Sequence, residues 1–304
     1  MKAWIERERL DGEIADCLTL VLPTKGCSWD SCYMCNYTSE SDRNATQDGI
    51  YSEFLKAVEK RDADMVKIFT SGSFFDEREV EKETREKIYR KVREKGFRRL
   101  VVESRPEFVS DEIADEILES GIDFEVGIGV ETSNDDYRMK LINKGFTFQD
   151  FVEASRILRK VGRVKAYLLL KPPLLTEREA IDDILRSVED VKPHADTISL
   201  NLMTVHSGTV VEELYLRGVY RPPWLWSAVE ILKKARVDMI CDPVAGGKRR
   251  GPHNCFRCDR EVVGEIRKFS LTQDRSVFIT DCECIERWRI TIQAEELTES
   301  PVFP

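Results

Sequence analysis

No apolar run in the 304-residue chain approaches the roughly 20 residues that cross a bilayer, so no membrane-spanning helix is expected. The segment Met1–Glu13 is charged throughout and lacks the apolar core of a secretory signal, which points to a cytoplasmic protein. An excess of basic charge is also missing. With 47 Lys and Arg against 56 Asp and Glu, the net charge is −9 and the pI about 5.2. That balance excludes a protein that grips nucleic acid with its whole surface, because phosphate contacts need clustered Lys and Arg. A local basic patch stays open, as does a partner subunit that does most of the holding. There is no internal repeat and no low-complexity tract. In a reducing compartment the grouped cysteines, among nine in all, read as metal ligands rather than disulfides.

Three of those cysteines fall within nine positions, in Thr24-Lys25-Gly26-Cys27-Ser28-Trp29-Asp30-Ser31-Cys32-Tyr33-Met34-Cys35-Asn36-Tyr37, directly after the apolar run Leu18–Leu22. Three thiolates are too many for one disulfide and one too few for a closed tetrahedral zinc site. They suit an iron–sulfur cube with three irons held by protein and the fourth left open to a small molecule. Three free thiols, or half a zinc site completed elsewhere, are the plainer alternatives. Cys17 reads as a small apolar residue packed under the first strand.

Six strand candidates alternate with helices at spacings of roughly 30 residues, the rhythm of repeated βαβ units. The strands are Leu18–Leu22, Met65–Thr70, Arg99–Glu103, Phe124–Glu131, Ala166–Leu170 and Thr197–Met203. The helices are Asp48–Lys60, Glu77–Lys95, Ser110–Ser120, Asn134–Ile142, Phe148–Val161 and Glu177–Val191, with two more near Val210–Arg217 and Trp224–Lys234. Residues 1–17 read as a lead-in. The charges of Glu77–Lys95 read as a solvated face with helical ion pairs. Six units are fewer than the eight of a closed barrel, so the expected fold is α/β: a partial (βα)6 barrel over 1–220 with a small Cys-rich module over 221–304. In such a barrel active residues sit at the C-terminal strand ends. Those ends carry the cysteine loop, Ser71-Gly72-Ser73, Glu103-Ser104-Arg105, Gly129-Val130-Glu131-Thr132, Lys171 and Asn201-Leu202-Met203.

Two further sets lie in the tail. Cys255-Phe256-Arg257-Cys258 is followed, after a β-like segment, by Cys282-Glu283-Cys284, four thiolates in all. Zinc is the expected occupant, with an auxiliary iron–sulfur cluster as the rival. His253 is a candidate substitute ligand, and Cys241 has no assignment. The basic residues Lys248, Arg249, Arg250 and Arg257 beside this knuckle form either an RNA-docking patch or a solvated charge run.

The cysteine loop resembles that of the radical S-adenosylmethionine (SAM) superfamily, in a C-x4-C-x2-C variant of the usual C-x3-C-x2-C. The likeness extends over about residues 16–220. It implies a 4Fe-4S cluster on Cys27, Cys32 and Cys35, one-electron cleavage of the SAM sulfonium, and hydrogen abstraction from a substrate in a barrel that excludes water. It also implies cofactor contacts from Tyr33, Ser71, Gly72, Ser73, Glu103, Arg105, Glu131, Lys171 and Asn201. Ser71-Gly72-Ser73 looks like the segment that meets the methionine amino group, although it lacks that segment's acidic residue. Glu103-Ser104-Arg105-Pro106-Glu107 resembles E-T-R-P-D of the elongator branch. Arg105 is expected on the SAM carboxylate and Glu131 on the ribose.

The wording of the cysteine loop, the segment Ile68–Asp76 and the cysteine-bearing tail resemble the radical SAM enzymes of archaeosine biosynthesis. That implies a lyase on tRNA position 15, in the D-arm. A partner, the lysine-transferring archaeosine synthase subunit, would first join lysine to a 7-cyano-7-deazaguanine base. This enzyme would then cleave the lysine-derived C–N bond. Another elongator-like tRNA-modifying radical enzyme, or a non-catalytic iron–sulfur and zinc RNA-binding scaffold, are the alternatives.

Overall fold

The apolar runs become strands of one sheet. The computed structural model describes residues 2–301; Met1 and 302–304, at the outer ends of the two expected units, lie outside them. Eight strands follow in chain order: β1 (Lys2–Leu10), β2 (Glu13–Val21), β3 (Met65–Phe69), β4 (Arg99–Glu103), β5 (Phe124–Glu131), β6 (Arg163–Leu170), β7 (Thr197–Leu202) and β8 (Met239–Asp242). Strands β2–β8 run parallel and β1 pairs antiparallel with β2. The sheet is therefore a curled, mixed half-barrel whose six parallel strands β2–β7 are those read from the sequence.

The intervening helices are α1 (Gln47–Glu59), α2 (Lys82–Lys95), α3 (Asp111–Ser120), the single turn α4 (Asp135–Tyr137) running into a π-helical turn Arg138–Ile142, α5 (Phe148–Leu158), α6 (Glu177–Val191), α7 (Val210–Leu216) and α8 (Leu225–Lys234). Several of them start at side-chain caps: Ser110 accepts from Ile113 N, and Thr147 and Thr176 each form a capping box. The helices cover the outer sheet face, where Leu18, Leu20, Val66, Ile68, Val102, Val126, Leu168 and Leu200 are fully buried. Fully burying each such side chain contributes about 1.5–3 kcal/mol.

Four expectations need correction. The lead-in is strand β1; it escapes recognition because its alternate residues Glu6 and Glu8 face Lys67 inside the barrel instead of an apolar core. Strand β8, only four residues long, extends the sheet past residue 220. The segment between Cys258 and Cys282 is not β-like but holds α9 (Asp259–Thr272), whose Val262, Ile266 and Phe269 are buried at helical spacing. Helix α2 starts five residues late, and its region is not simply a solvated face: Arg85 is buried against Glu116, paired through two nitrogens at 2.8 Å, and Glu79 is fully buried. The chain ends on α10 (Cys284–Thr298). Among the described residues no helix is long and apolar enough to cross a membrane.

The lumen is layered. Arg99 with Asp11 and Asp123, each at 2.8 Å, closes the N-terminal end. Leu10, Ala15, Cys17, Met65 and Val101 form an apolar layer above it. Next come Lys67 between Glu6 and Glu8, and Lys165 with Glu125 at 3.2 Å. Burial opposes the charges in this layer, but the lysines hold Glu8 below its ordinary pKa, and the carboxylates hold Lys67 above its own. Helix α9 packs on both sheet edges, β1 and β8, and Arg9 reaches Asp238 at 3.4 Å across the gap.

Glu8→Ala leaves Lys67 buried with Glu6 alone and is expected to lower the unfolding free energy by about 2–4 kcal/mol in urea titrations at neutral pH. Because Glu8 is held below the usual carboxylate range, its contribution is present above that range. The difference between variant and parent should therefore shrink as the pH falls through it.

Candidate active site and metal cage

Strand β2 ends at Val21, and the chain crosses the barrel mouth as the cysteine loop. Its two anchors lie on opposite sides. The Trp29 indole donates to Asn143 O at 2.8 Å, Asn143 Nδ2 to Ser31 O at 2.8 Å, and Tyr33 N to Ile142 O at 2.9 Å. On the other side Val211 N donates to Tyr33 O at 3.3 Å, the Asn36 amide donates to Ser207 O, and the Tyr37 ring meets His206 edge-on at 5.5 Å. Cys27, Cys32 and Cys35 are half-buried free thiols on this bridge. Burial pushes the Cys32 thiol up to about 11 and raises Cys35 as well, while Lys144 pulls both the other way. Such thiols are protonated at neutral pH and become ligands by losing protons to a bound metal.

The end of β3 is pinned against this loop by a residue the sequence reading passed over. The buried Glu79 carboxylate accepts from Ser71 N (3.1 Å), Gly72 N (3.2 Å), Ser73 N (2.6 Å) and the Thr24 hydroxyl. Glu79 thus brings a carboxylate to Ser71-Gly72-Ser73 from six residues downstream, and the absence of an acid within that segment was the only hint of it. At Gly72 a Cβ would come within 2.7 Å of Cys27 Cα and 2.8 Å of Cys27 Cβ, so only glycine lets the two segments touch.

Arg105 is buried, with its guanidinium 5.3 Å from both the Trp29 and Phe146 ring centres. Its Nε donates to Glu107, and its Nη2 is buried with no hydrogen-bond partner. Glu131 sits at a bulge of β5 with φ +65 and pairs with Lys144 at 2.6 Å. Arg105, Glu131 and Lys144 all lie close enough to Cys32 to shift its pKa. Lys171 is elsewhere engaged: its buried ammonium meets Glu177 at 2.5 Å, and Glu177 also accepts from the Ser227 hydroxyl. Asn201, at the end of β7, stands beside Asp242 of β8. Half-buried Glu103 faces the Tyr167 hydroxyl, which donates to it.

Cys255, Cys258, Cys282 and Cys284 form a second centre. Their sulfurs lie 3.8 Å (255–258), 3.8 Å (255–282) and 3.5 Å (258–284) apart, all mutually within 4.8 Å. Asp259 shapes the first turn by accepting from Asn254 N (2.8 Å), Cys255 N (3.1 Å) and Phe256 N (2.7 Å). The sulfurs have their own donors. The Trp226 indole lies 3.2 Å from Cys284 Sγ, and Cys255 receives the N–H groups of Arg257 and Cys258. His253 stays outside the cage, stacked on Phe256 with its Nδ1 2.8 Å from Gly251 O, and Cys241 is buried alone in β8. Of the basic set, Arg250 is tied to Glu212 and Val205 O, and Arg257 lies 3.7 Å from Glu283. Lys248 and Arg249 are exposed.

A family model described as the radical SAM superfamily matches residues 21–186. The archaeosine synthase subunit beta of Methanosarcina acetivorans is 42% identical over 313 residues, covering 97% of this chain and 90% of that protein. Its counterpart from Thermococcus kodakarensis is 41% identical, covering 96% and 97%. A queuine lyase from Clostridium spiroforme, solved with SAM and queuine, superposes with a TM-score of 0.52 at 22% identity over 70% of this chain and 86% of that one. That likeness concerns the fold. A radical SAM fold implies a 4Fe-4S cluster and SAM, and the residues here fit both: three thiols without a fourth, and a buried guanidinium nitrogen lacking an acceptor.

Gly72→Ala should force the Ser71–Ser73 segment off Cys27, costing about 1–3 kcal/mol as overpacking. The urea midpoint should fall, and iron retained per chain after anaerobic reconstitution should fall with it.

Proposed function

The chain belongs to the radical SAM superfamily and, within it, to the archaeosine synthase subunit beta family, and from that premise we propose that it is the C–N lyase of archaeosine biosynthesis. It is a radical SAM enzyme with a role in that biosynthesis. In the proposed reaction it acts on tRNA position 15, cleaving the lysine-derived bond of the modified 7-deazaguanine and leaving the formamidine. The observation that carries this reading is the likeness to two archaeosine synthase beta subunits along almost their whole length.

The cluster, when bound, supplies the electron that cleaves SAM. Cys27, Cys32 and Cys35 would hold it, since they are the three thiols of the loop that bridges the barrel mouth. Arg105 would take the SAM carboxylate on its free Nη2. The carbonyl oxygens of Ser71, Gly72 and Ser73 would take the amino group, because their N–H groups are already committed to Glu79. Glu131 would meet the ribose, with Tyr33 and Asn201 at the rim. Lys171 would act through Glu177, fixing the end of β6. The Trp29 and Phe146 rings beside Arg105 supply the water-poor wall such chemistry needs.

The tail cage would hold zinc. Four thiolates about 2.3 Å from one tetrahedral ion lie about 3.8 Å apart, the spacing seen here. A four-iron cluster spreads its thiolates wider, since each sulfur bonds a different iron. Lys248 and Arg249, the exposed members of the basic set, would touch tRNA, and a lysine-transferring partner subunit would supply the larger grip.

In anaerobic assays with dithionite, 5′-deoxyadenosine release should rise with lysine-modified tRNA over the tRNA-free control. Release independent of tRNA would keep the superfamily and refute the substrate, and no release from cluster-loaded protein would favour a scaffold. Metal analysis should find one zinc per chain beside the cluster iron, lost in Cys258→Ser; iron in its place would refute zinc.

A further inference from the structure

Six carboxylates face the barrel lumen above its apolar layer: Glu6, Glu8, Glu125, Glu131, Glu103 and, at the β8 edge, Asp242. Four lie within ion-pair distance of a lysine. Lys67 serves Glu6 and Glu8, Lys165 serves Glu125, and Lys144 serves Glu131. Glu103 and Asp242 have no cation at ion-pair distance among the described residues; Asp242 is exposed at the edge of the sheet, whereas Glu103 is half-buried beside the cysteine loop with the Tyr167 hydroxyl as its partner.

The contact with Tyr167 is built across a strand. Glu103 on β4 stands opposite Gly127 on β5, and Tyr167 lies on β6, the next strand over. A Cβ at residue 127 would come within 2.6 Å of the Tyr167 ring, so glycine is what lets the ring lie over β5 toward Glu103. The pair sits between the paired charges of the lumen and the cysteine loop: Lys67 and Lys165 act on Glu103 from below, Lys144 acts on it from above, and Glu103 in turn acts on Tyr37 of the loop. Both residues are half-buried and so reachable from the lumen. A carboxylate in this position, without a counter-ion and deep in a low-dielectric cleft, is costly unless a ligand brings the cation.

We infer that Glu103 is the specificity residue that receives the cationic part of the substrate, an amidinium or ammonium group, rather than a contact for the cofactor. The inference rests on the lysine-adduct reading, in which addition of an amine to a nitrile creates an amidine that is protonated at neutral pH. The nitrile-bearing precursor has no such charge, so Glu103 would separate the two. Tyr167 would orient the carboxylate.

The test compares wild type, Glu103→Gln and Arg105→Ala by equilibrium binding. Wild type should bind tRNA carrying the lysine adduct at least tenfold tighter than the same tRNA carrying the nitrile. Glu103→Gln should lose that preference while keeping SAM affinity within about twofold, whereas Arg105→Ala should lose SAM affinity. Retained preference in Glu103→Gln, or loss of SAM affinity in its place, overturns the assignment. If wild type itself shows no preference, the lysine-adduct reading fails, and free lysine bearing an ε-formamidine decides the cation site. Binding to wild type but not to Glu103→Gln upholds the site; equal or absent binding to both overturns it.

Discussion

One buried carboxylate ties the catalytic end of the barrel together. Glu79 collects three successive backbone N–H groups and the Thr24 hydroxyl, and through them joins the root of the cysteine loop to the end of β3. Burial raises its pKa, yet the donors around it stabilise the ionised form, each such bond contributing about 1.5–3 kcal/mol. The arrangement also fixes polarity. With its N–H groups turned to Glu79, the segment Ser71–Ser73 presents acceptors to the mouth. A glycine in its centre lets it lie against the first cysteine without a gap. Remove the carboxylate and three donors are left unpaired beside the loop.

Charge inside the barrel is arranged with the same economy. Parallel sheets usually bury apolar residues on both faces, but here the inner face carries Lys67, Lys165 and the acids that match them. Buried ions of this kind add little net stability over apolar packing, so their use is in presetting a field within a cleft. The mouth, in contrast, is walled by aromatic rings: Trp29 and Phe146 flank Arg105, and Phe146 with Phe148 flanks Arg138.

The strands between helices were legible because each is a nearly continuous apolar run, and the four tail cysteines because two close pairs at that spacing have few other uses. What escaped has a physical reason in each case. Strand β1 alternates as a strand should, but its inward residues are acids that answer Lys67, a partner about 60 positions away in sequence. Glu79 and Arg85 look like part of a solvated charge run because their partners, the Ser71–Ser73 backbone and Glu116, come together only in the fold. Helix α9 was hidden by the expectation that a knuckle is flanked by strands, although Val262, Ile266 and Phe269 recur at helical spacing. Lys171 was legible as a strand-end residue but not as half of a buried pair with Glu177.

The strand order itself has a kinetic side. Every strand pairs with its neighbour in sequence, so each βα unit can dock as it leaves the ribosome, without waiting for a distant partner. The C-terminal helices differ: α10 docks on α6, and α9 must settle on β1 as well as β8, nearly the whole chain apart. Closure of the gap between the two sheet edges therefore waits until α9 has been made. Its docking also shuts the open side of a barrel whose interior carries charge, so sheet closure and desolvation of those charges are tied to one helix.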